Sequence, residues 1–258
     1  MKWDRLTTVT INHLDRRIPV LLPIGATEQH GSHLPLATDH LIGQQLCELL
    51  DSELSDKVLI LPSVPIGCSA HHMDFAGTLS ISHKTFIELV CEILESVVAH
   101  GFRNLIIFNS HGGNNAVGQV VVERFGSAHP ECRIVLAVWW LIAARELARI
   151  SETGPGGVGH ACEFETSLML CSNPDLVDIS AIKPGENKDT FGWARGDMLR
   201  SSQASLYRSF KGMTDNGVFG DPTKASKEKG MMIEQAVISE LKKIVIDLHL
   251  HYFQRVPT

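Results

Sequence analysis

Apolar residues in this chain fall into short unbroken runs, separated by longer stretches where they recur every third or fourth position. The run at 19–25, centred on Val20-Leu21-Leu22-Pro23-Ile24, reads as a strand that ends in a loop. Runs at 58–62, 105–109 and 133–140 read as three more strands. Helical spacing follows each of them or lies between them. Leu41, Ile42, Leu46, Leu49 and Leu50 mark a helix over 39–50. Phe86, Ile87, Val90, Ile93, Leu94 and Val97 mark another over 84–100, with Gly101 as its stop. Further helices are expected over 115–126, 161–171 and 228–252.

Strands that are apolar throughout, rather than alternating, are expected where both faces of a sheet are covered. Their alternation with helices predicts an α/β fold, a mostly parallel sheet layered between helices, in a single domain spanning 1–258. From 183 to 229 the periodicity dissolves into Gly, Ser, Lys, Arg and Asp. A long irregular stretch in a compact domain is usually disordered or functional, and this one follows all the candidate ligands. It is expected to be a substrate-side loop or an oligomer contact.

Composition narrows the partners. A net charge of -6 argues against nucleic acid, because no basic face dominates. No apolar segment reaches the length of a membrane span, and no charged-then-apolar leader follows Met1. The six cysteines form no CxxC pair and no compact disulfide spacing, so a cytoplasmic location is expected. Cys162, inside a His- and Glu-rich motif, is expected to be a small buried residue.

Three polar clusters stand where predicted strands end, the place where open parallel sheets gather ligands. The first spans 28–40 and packs Glu28, His30, His33, Asp39 and His40 into thirteen positions. Such a density is costly unless a cation sits among the donors. Glu28 and His30, two apart, share a side of an extended backbone. Asp39 can swing back to them, although an Asp at a helix start is also a routine cap. The second cluster is Asn109-Ser110-His111-Gly112-Gly113-Asn114-Asn115. Its glycines permit torsions that turn the loop around His111. A phosphate-cradling loop is the rival, but no GxGxxG or GxxxxGK[ST] pattern supports it. The third is Gly159-His160-Ala161-Cys162-Glu163-Phe164-Glu165-Thr166-Ser167. His160 and Glu163, three apart, are read as neighbours on one helical face, with Glu165 as a partner that orients a ligand. The alternative is that these residues only cap the helix and favour its dipole.

Carboxylates and imidazoles without thiolates suit zinc, manganese or ferrous iron. Two divalent ions about 3.5–4 Å apart, sharing one carboxylate, would activate water and polarise a carbonyl. Asp39 is the choice for the shared ligand.

These motifs resemble those of the creatininase (creatinine amidohydrolase) family. The residues are Gly25-Ala26-Thr27-Glu28-Gln29-His30-Gly31 with Leu34-Pro35 and Thr38-Asp39, the 109–114 loop, and His160 to Ser167. Phe75-Ala76-Gly77-Thr78-Leu79-Ser80 and Gly220-Asp221-Pro222 add to them, in the family's order and over nearly the full chain. The resemblance implies a Rossmann-like fold, a binuclear metal site, hydrolysis of C–N amide bonds and often a hexameric homo-oligomer. By motif, Glu28, Asp39 and His111 would hold one metal, and His30, Asp39 and Glu163 the other. His160 would be the proton-transferring catalytic residue. His72 and Trp140 would line the substrate pocket.

Two departures bear on the substrate. Creatininase places a Glu where this chain has Gly113, and a tryptophan in the stretch that reads Gly154-Pro155-Gly156-Gly157-Val158-Gly159 here. Both argue against creatinine itself. A small cyclic or linear amide is expected, with formamide deformylation and peptide cleavage as the family's other branches. A catalytically silent metal-binding protein is the alternative from a different class.

Overall fold

In the computed structural model, which describes residues 1–250, the strands Leu59–Ile60, Val20–Ile24, Asn104–Asn109 and Arg133–Val138 lie side by side in that order in a four-stranded sheet, every pairing parallel. The chain opens with a short helix, α1 (Thr8–His13), then enters β1 (Val20–Ile24), α2 (Thr38–Glu53), β2 (Leu59–Ile60) and α3 (His83–Ala99). After these come β3 (Asn104–Asn109), α4 (Asn115–Ala128), β4 (Arg133–Val138), α5 (Trp139–Ile142) and α6 (Ala144–Ile150). The last third holds β5 (Val158–His160), α7 (Glu163–Ser172), α8 (Phe210–Met213), β6 (Phe219–Gly220) and α9 (Lys227–Leu250). The tail of the expected last helix, 251–252, lies outside the described residues.

The unbroken apolar runs have the cause expected of them, because the sheet carries a core on each face. Val20, Leu22, Ile24, Leu105 and Ile107 pack on the side of α3 and α4. Leu21, Ile106, Phe108 and Ala137 pack on the side of α2, α7 and α9. Pro23 is tolerated in an inner strand because β2 stops at Ile60. Beyond that point β1 meets only an isolated bridge, Ile24 to Val64. Gly101 ends α3 with φ +92°, the left-handed stop that the sequence announced.

Two boundaries differ from expectation. The run 133–140 is a strand only to Val138, which pairs with Asn109, the last residue of β3. With no ladder left to join, Trp139 and Trp140 turn into α5. The helix expected from 161 begins at Glu163. Ala161 takes φ 50° and Cys162 is extended, so His160 belongs to β5, which pairs antiparallel with β6.

Chain order reverses between β1 and β3. The crevice beyond their carboxyl ends is therefore the topological switch point, where doubly wound sheets place ligands. All six cysteines are unpaired, and burial pushes the Cys162 thiol up. Among the described residues no helix is long and apolar enough to cross a membrane.

Candidate metal centre

The loops at the switch point are clamped by asparagines. Asn109 accepts the His111 backbone N–H at 3.1 Å and donates to the His111 carbonyl at 2.8 Å, which sets the direction of the imidazole. Asn114 accepts from Cys68 N–H and donates to the Gly25 carbonyl, both at 3.0 Å, tying three loops together. Ser110 donates to the Ile24 carbonyl at 3.1 Å. Neither Gly112 nor Gly113 uses a left-handed φ, contrary to the torsional role expected of them. Gly113 is instead required by close approach, since a Cβ there would lie 2.2 Å from the Cys68 carbonyl and 2.4 Å from His111 Nε2.

Asp39 is not a helix cap. It lies inside α2 with its carboxylate turned to two imidazoles, Oδ1 at 3.3 Å from His30 Nε2 and Oδ2 at 3.1 Å from His111 Nδ1. Glu28 Oε1 lies 3.3 Å from His111 Nδ1, 3.3 Å from His72 Nε2 and 3.6 Å from His160 Nδ1. Three buried triads result: Glu28, Asp39 and His111; Glu28, His72 and His160; and His30, His160 and Glu165. Within each, one donor atom per residue falls within 4.8 Å of the others. His33 and His40 are excluded, the first facing Thr166 and the second Ser63.

These donors converge on shared points rather than pairing off. Glu28 Oε1 and Oε2, His30 Nε2 and Asp39 Oδ2 are buried without a hydrogen-bond partner. Orphaned acceptors at that depth are costly, and a divalent cation would satisfy them, so the residue set fits metal ions. Protons are otherwise drawn in. Burial works against a charged His30, but the Asp39 carboxylate outweighs it and raises the imidazole to about 9. His111 is likewise raised against burial by Glu28 and Asp39. Asp39 is held low by His30 and His111 despite its burial. Burial lifts Glu165 to about 7.

His160 and His72 are different. Burial and the surrounding imidazoles push both down, so both are neutral. Gln29 fixes which nitrogen of each carries the proton. Its side-chain oxygen accepts the Gly31 N–H at 3.0 Å, which orients the amide, and its NH₂ group reaches His72 Nδ1 at 2.9 Å. The Gln29 backbone carbonyl lies 2.6 Å from His160 Nε2 and the Gln29 side-chain amide nitrogen 3.1 Å from it, and the shorter contact, to an acceptor, assigns the proton to Nε2. His160 Nδ1 is therefore the free lone pair, and it faces the cluster.

One expected ligand stands elsewhere. Glu163 Oε1 is 2.5 Å from Lys229 Nζ, and its carboxylate also takes the Thr153 hydroxyl at 2.7 Å and the Glu152 N–H at 3.0 Å. These bonds hold it low against the effect of burial, and it is in none of the three triads. His160 and Glu163 are not neighbours on one helical face, because His160 ends β5 and Glu163 begins α7. The turn at Ala161 lets Glu165 swing into the cluster instead, where it accepts the Ala161 N–H.

The cluster opens to a cavity of about 380 Å³ whose lining includes Trp140, Asn115 and Met198. His71, Gln29 and Phe210 also stand at the cluster, and neither periodicity nor motif spacing marks them. Phe210, from the irregular 183–229 stretch, stacks on His72 at 4.0 Å and meets His160 edge-on at 4.5 Å. Only the position of that stretch after the ligands signalled it.

Residues 4–245 match the Creatininase family, described as creatinine amidohydrolase. A mycofactocin precursor peptide peptidase of Mycobacterium tuberculosis is 29% identical over 91% of this chain and 88% of its own length. The creatinine amidohydrolase of Pseudomonas putida is 30% identical over 63% of this chain and 67% of its own. Among solved structures, a creatinine-amidohydrolase-like protein of Bacteroides fragilis superposes with TM-score 0.81 at 26% identity, covering 99% of this chain and 98% of the other. Manganese creatininase superposes with TM-score 0.78 at 22% identity, over 95% of this chain and 97% of that one, a likeness of fold.

Proposed function

This chain belongs to the creatininase family of hydrolases, and from that premise we propose that it hydrolyses a C–N amide bond with two divalent metal ions as cofactors. The observation that carries the proposal is the set of buried, unsatisfied oxygens and nitrogens shared among three triads. Glu28, Asp39 and His111 would hold one ion. His30, Asp39 and Glu165 would hold the other, with Asp39 Oδ1 beside His30 and Oδ2 beside His111. Zinc, manganese and ferrous iron all suit such donors. Bound ions of this kind activate water and polarise a carbonyl oxygen.

The chain's own groups do the rest. His160, neutral and locked by the Gln29 carbonyl, presents Nδ1 to accept a proton and pass it to the departing nitrogen. His72 Nε2 faces the Glu28 carboxylate at 3.3 Å. Phe210 covers both imidazoles and excludes water, and Trp140 forms a wall for the substrate. The site assembles within one chain; a homo-oligomer, hexameric as the family pattern implies, would surround it.

The substrate is a small cyclic or linear amide, and the peptidase named among the relatives favours the linear kind. The test is a release assay for amine or ammonia with metal-loaded protein across cyclic amides, formamides and short peptides. Turnover that disappears on chelation and returns with added metal is expected. Bound metal with no hydrolysis in any class would favour the catalytically silent alternative.

A further inference from the structure

The cavity does not stop at the candidate ligands. Ala194, Gly196, Asp197 and Phe219 line both it and a second cavity of about 390 Å³, walled largely by the 187–208 segment. Four cations stand in that second wall: Lys188, Arg195, Arg200 and Arg208. In a chain of net charge -6 this is a local reversal of sign.

Three of the four have carboxylate partners. Lys188 is 2.8 Å from Asp215, Arg200 is 3.1 Å from Asp197, and Arg195 is 3.5 Å from the fully exposed Asp189. Asp197 is itself heavily used, accepting N–H groups from Gly156 at 2.7 Å and Leu199 at 2.9 Å. Arg208 is the exception. It is half-buried, makes no ion pair among the described residues, and gives Nη2 only to the backbone carbonyls of Gly212 and Lys188. A guanidinium held by neutral carbonyls in a cavity wall keeps its remaining N–H groups for the oxygens of an anionic partner.

We infer that the annex binds an anionic end of the substrate, so that the substrate class is an amide bearing a carboxylate or phosphate on a tail that reaches from the metal centre to Arg208. The inference rests on the hydrolytic reading above. Creatinine, compact and without an anionic group, would leave both the annex and Arg208 unused.

The test uses metal-loaded protein and three otherwise identical linear amides, ending in a carboxylate, a phosphomonoester or a carboxamide. Hydrolysis is followed by amine release. Binding is followed by calorimetry with the matching reduced-amide isosteres, which cannot be cleaved. One anionic end is expected to bind and react about tenfold better than the carboxamide, the scale of a charge-assisted hydrogen bond. Arg208→Met should bring that ratio close to one, and Arg208→Lys should keep part of it. The tighter of the two anionic arms identifies the group. Equal handling of charged and uncharged ends, a preference that survives Arg208→Met, or no binding at all would overturn the inference. A binding preference without hydrolysis supports the annex and removes the hydrolytic reading. Hydrolysis without a preference does the reverse.

Discussion

Lys229 Nζ lies 2.5 Å from Glu163 Oε1, and this buried ion pair separates the two glutamates of α7. Glu163 braces the 151–153 loop and the start of α9, while Glu165 faces His30 and His160. Replacing each separately should therefore give different phenotypes. Glu165→Gln is expected to lose about one metal ion per chain together with turnover, while folding normally. Glu163→Gln is expected to keep the metal but lose about 1.5–3 kcal/mol of stability, because it removes one of the two carboxylates on Lys229 and leaves Glu152, 3.0 Å away, as the other. Metal analysis and urea unfolding of the two variants distinguish the roles. Retained metal in Glu165→Gln and lost metal in Glu163→Gln would reverse them.

Gly113 is held to its size by Cys68 and His111. Gly113→Ala should cost about 1–3 kcal/mol through overpacking and should lower metal occupancy by displacing His111. A Glu at this position, as in creatininase, cannot be accepted without moving the loop, so Gly113→Glu should not restore metal to Glu165→Gln. Occupancy measured on the single and double variants checks this.

Gln29 is expected to act through His160 and His72 without touching a metal. Gln29→Leu removes the side-chain amide from His72 and His160 but keeps the backbone carbonyl on His160, so kcat should fall by roughly tenfold, the low end for losing an orienting partner, with KM and metal content little changed. A parallel rise in KM, or loss of metal, would show that Gln29 only supports the fold.

His33 offers a stability readout at a residue outside the candidate ligand set. Burial, aided by the charge of His30, pushes its imidazole down to about 4, and its Nε2 meets Thr166 Oγ1 at 2.9 Å. As pH falls from about 6.5 toward 4 the unfolded chain takes up a proton that the folded chain refuses, so stability declines across that window. Unfolding curves at pH 7, 6 and 5 should show this decline, and His33→Gln should flatten it.

The four strands, the main helices and the switch-point position of the three clusters were legible because continuous apolar runs and helical spacing have one physical reading in a covered parallel sheet. Glu28, His30, Asp39 and His111 stood out as candidates because the loop after β1, the first turn of α2 and the loop after β3 all open on the same crevice. Glu165 was misread because its placement depends on a single residue, Ala161, in a conformation that a side chain resists and no period announces. Phe210 and Arg208 were invisible because their stretch has no period, and only tertiary packing brings it over the site.

The central claim is that the two oxygens of Asp39 serve two metal ions. Metal content per chain, measured on the same preparations as amide turnover, tests it most directly. The wild-type protein is predicted to hold two ions, and Asp39→Ala to lose metal and turnover together. An Asp39→Ala protein that still holds two ions and turns over at the wild-type rate would contradict the account.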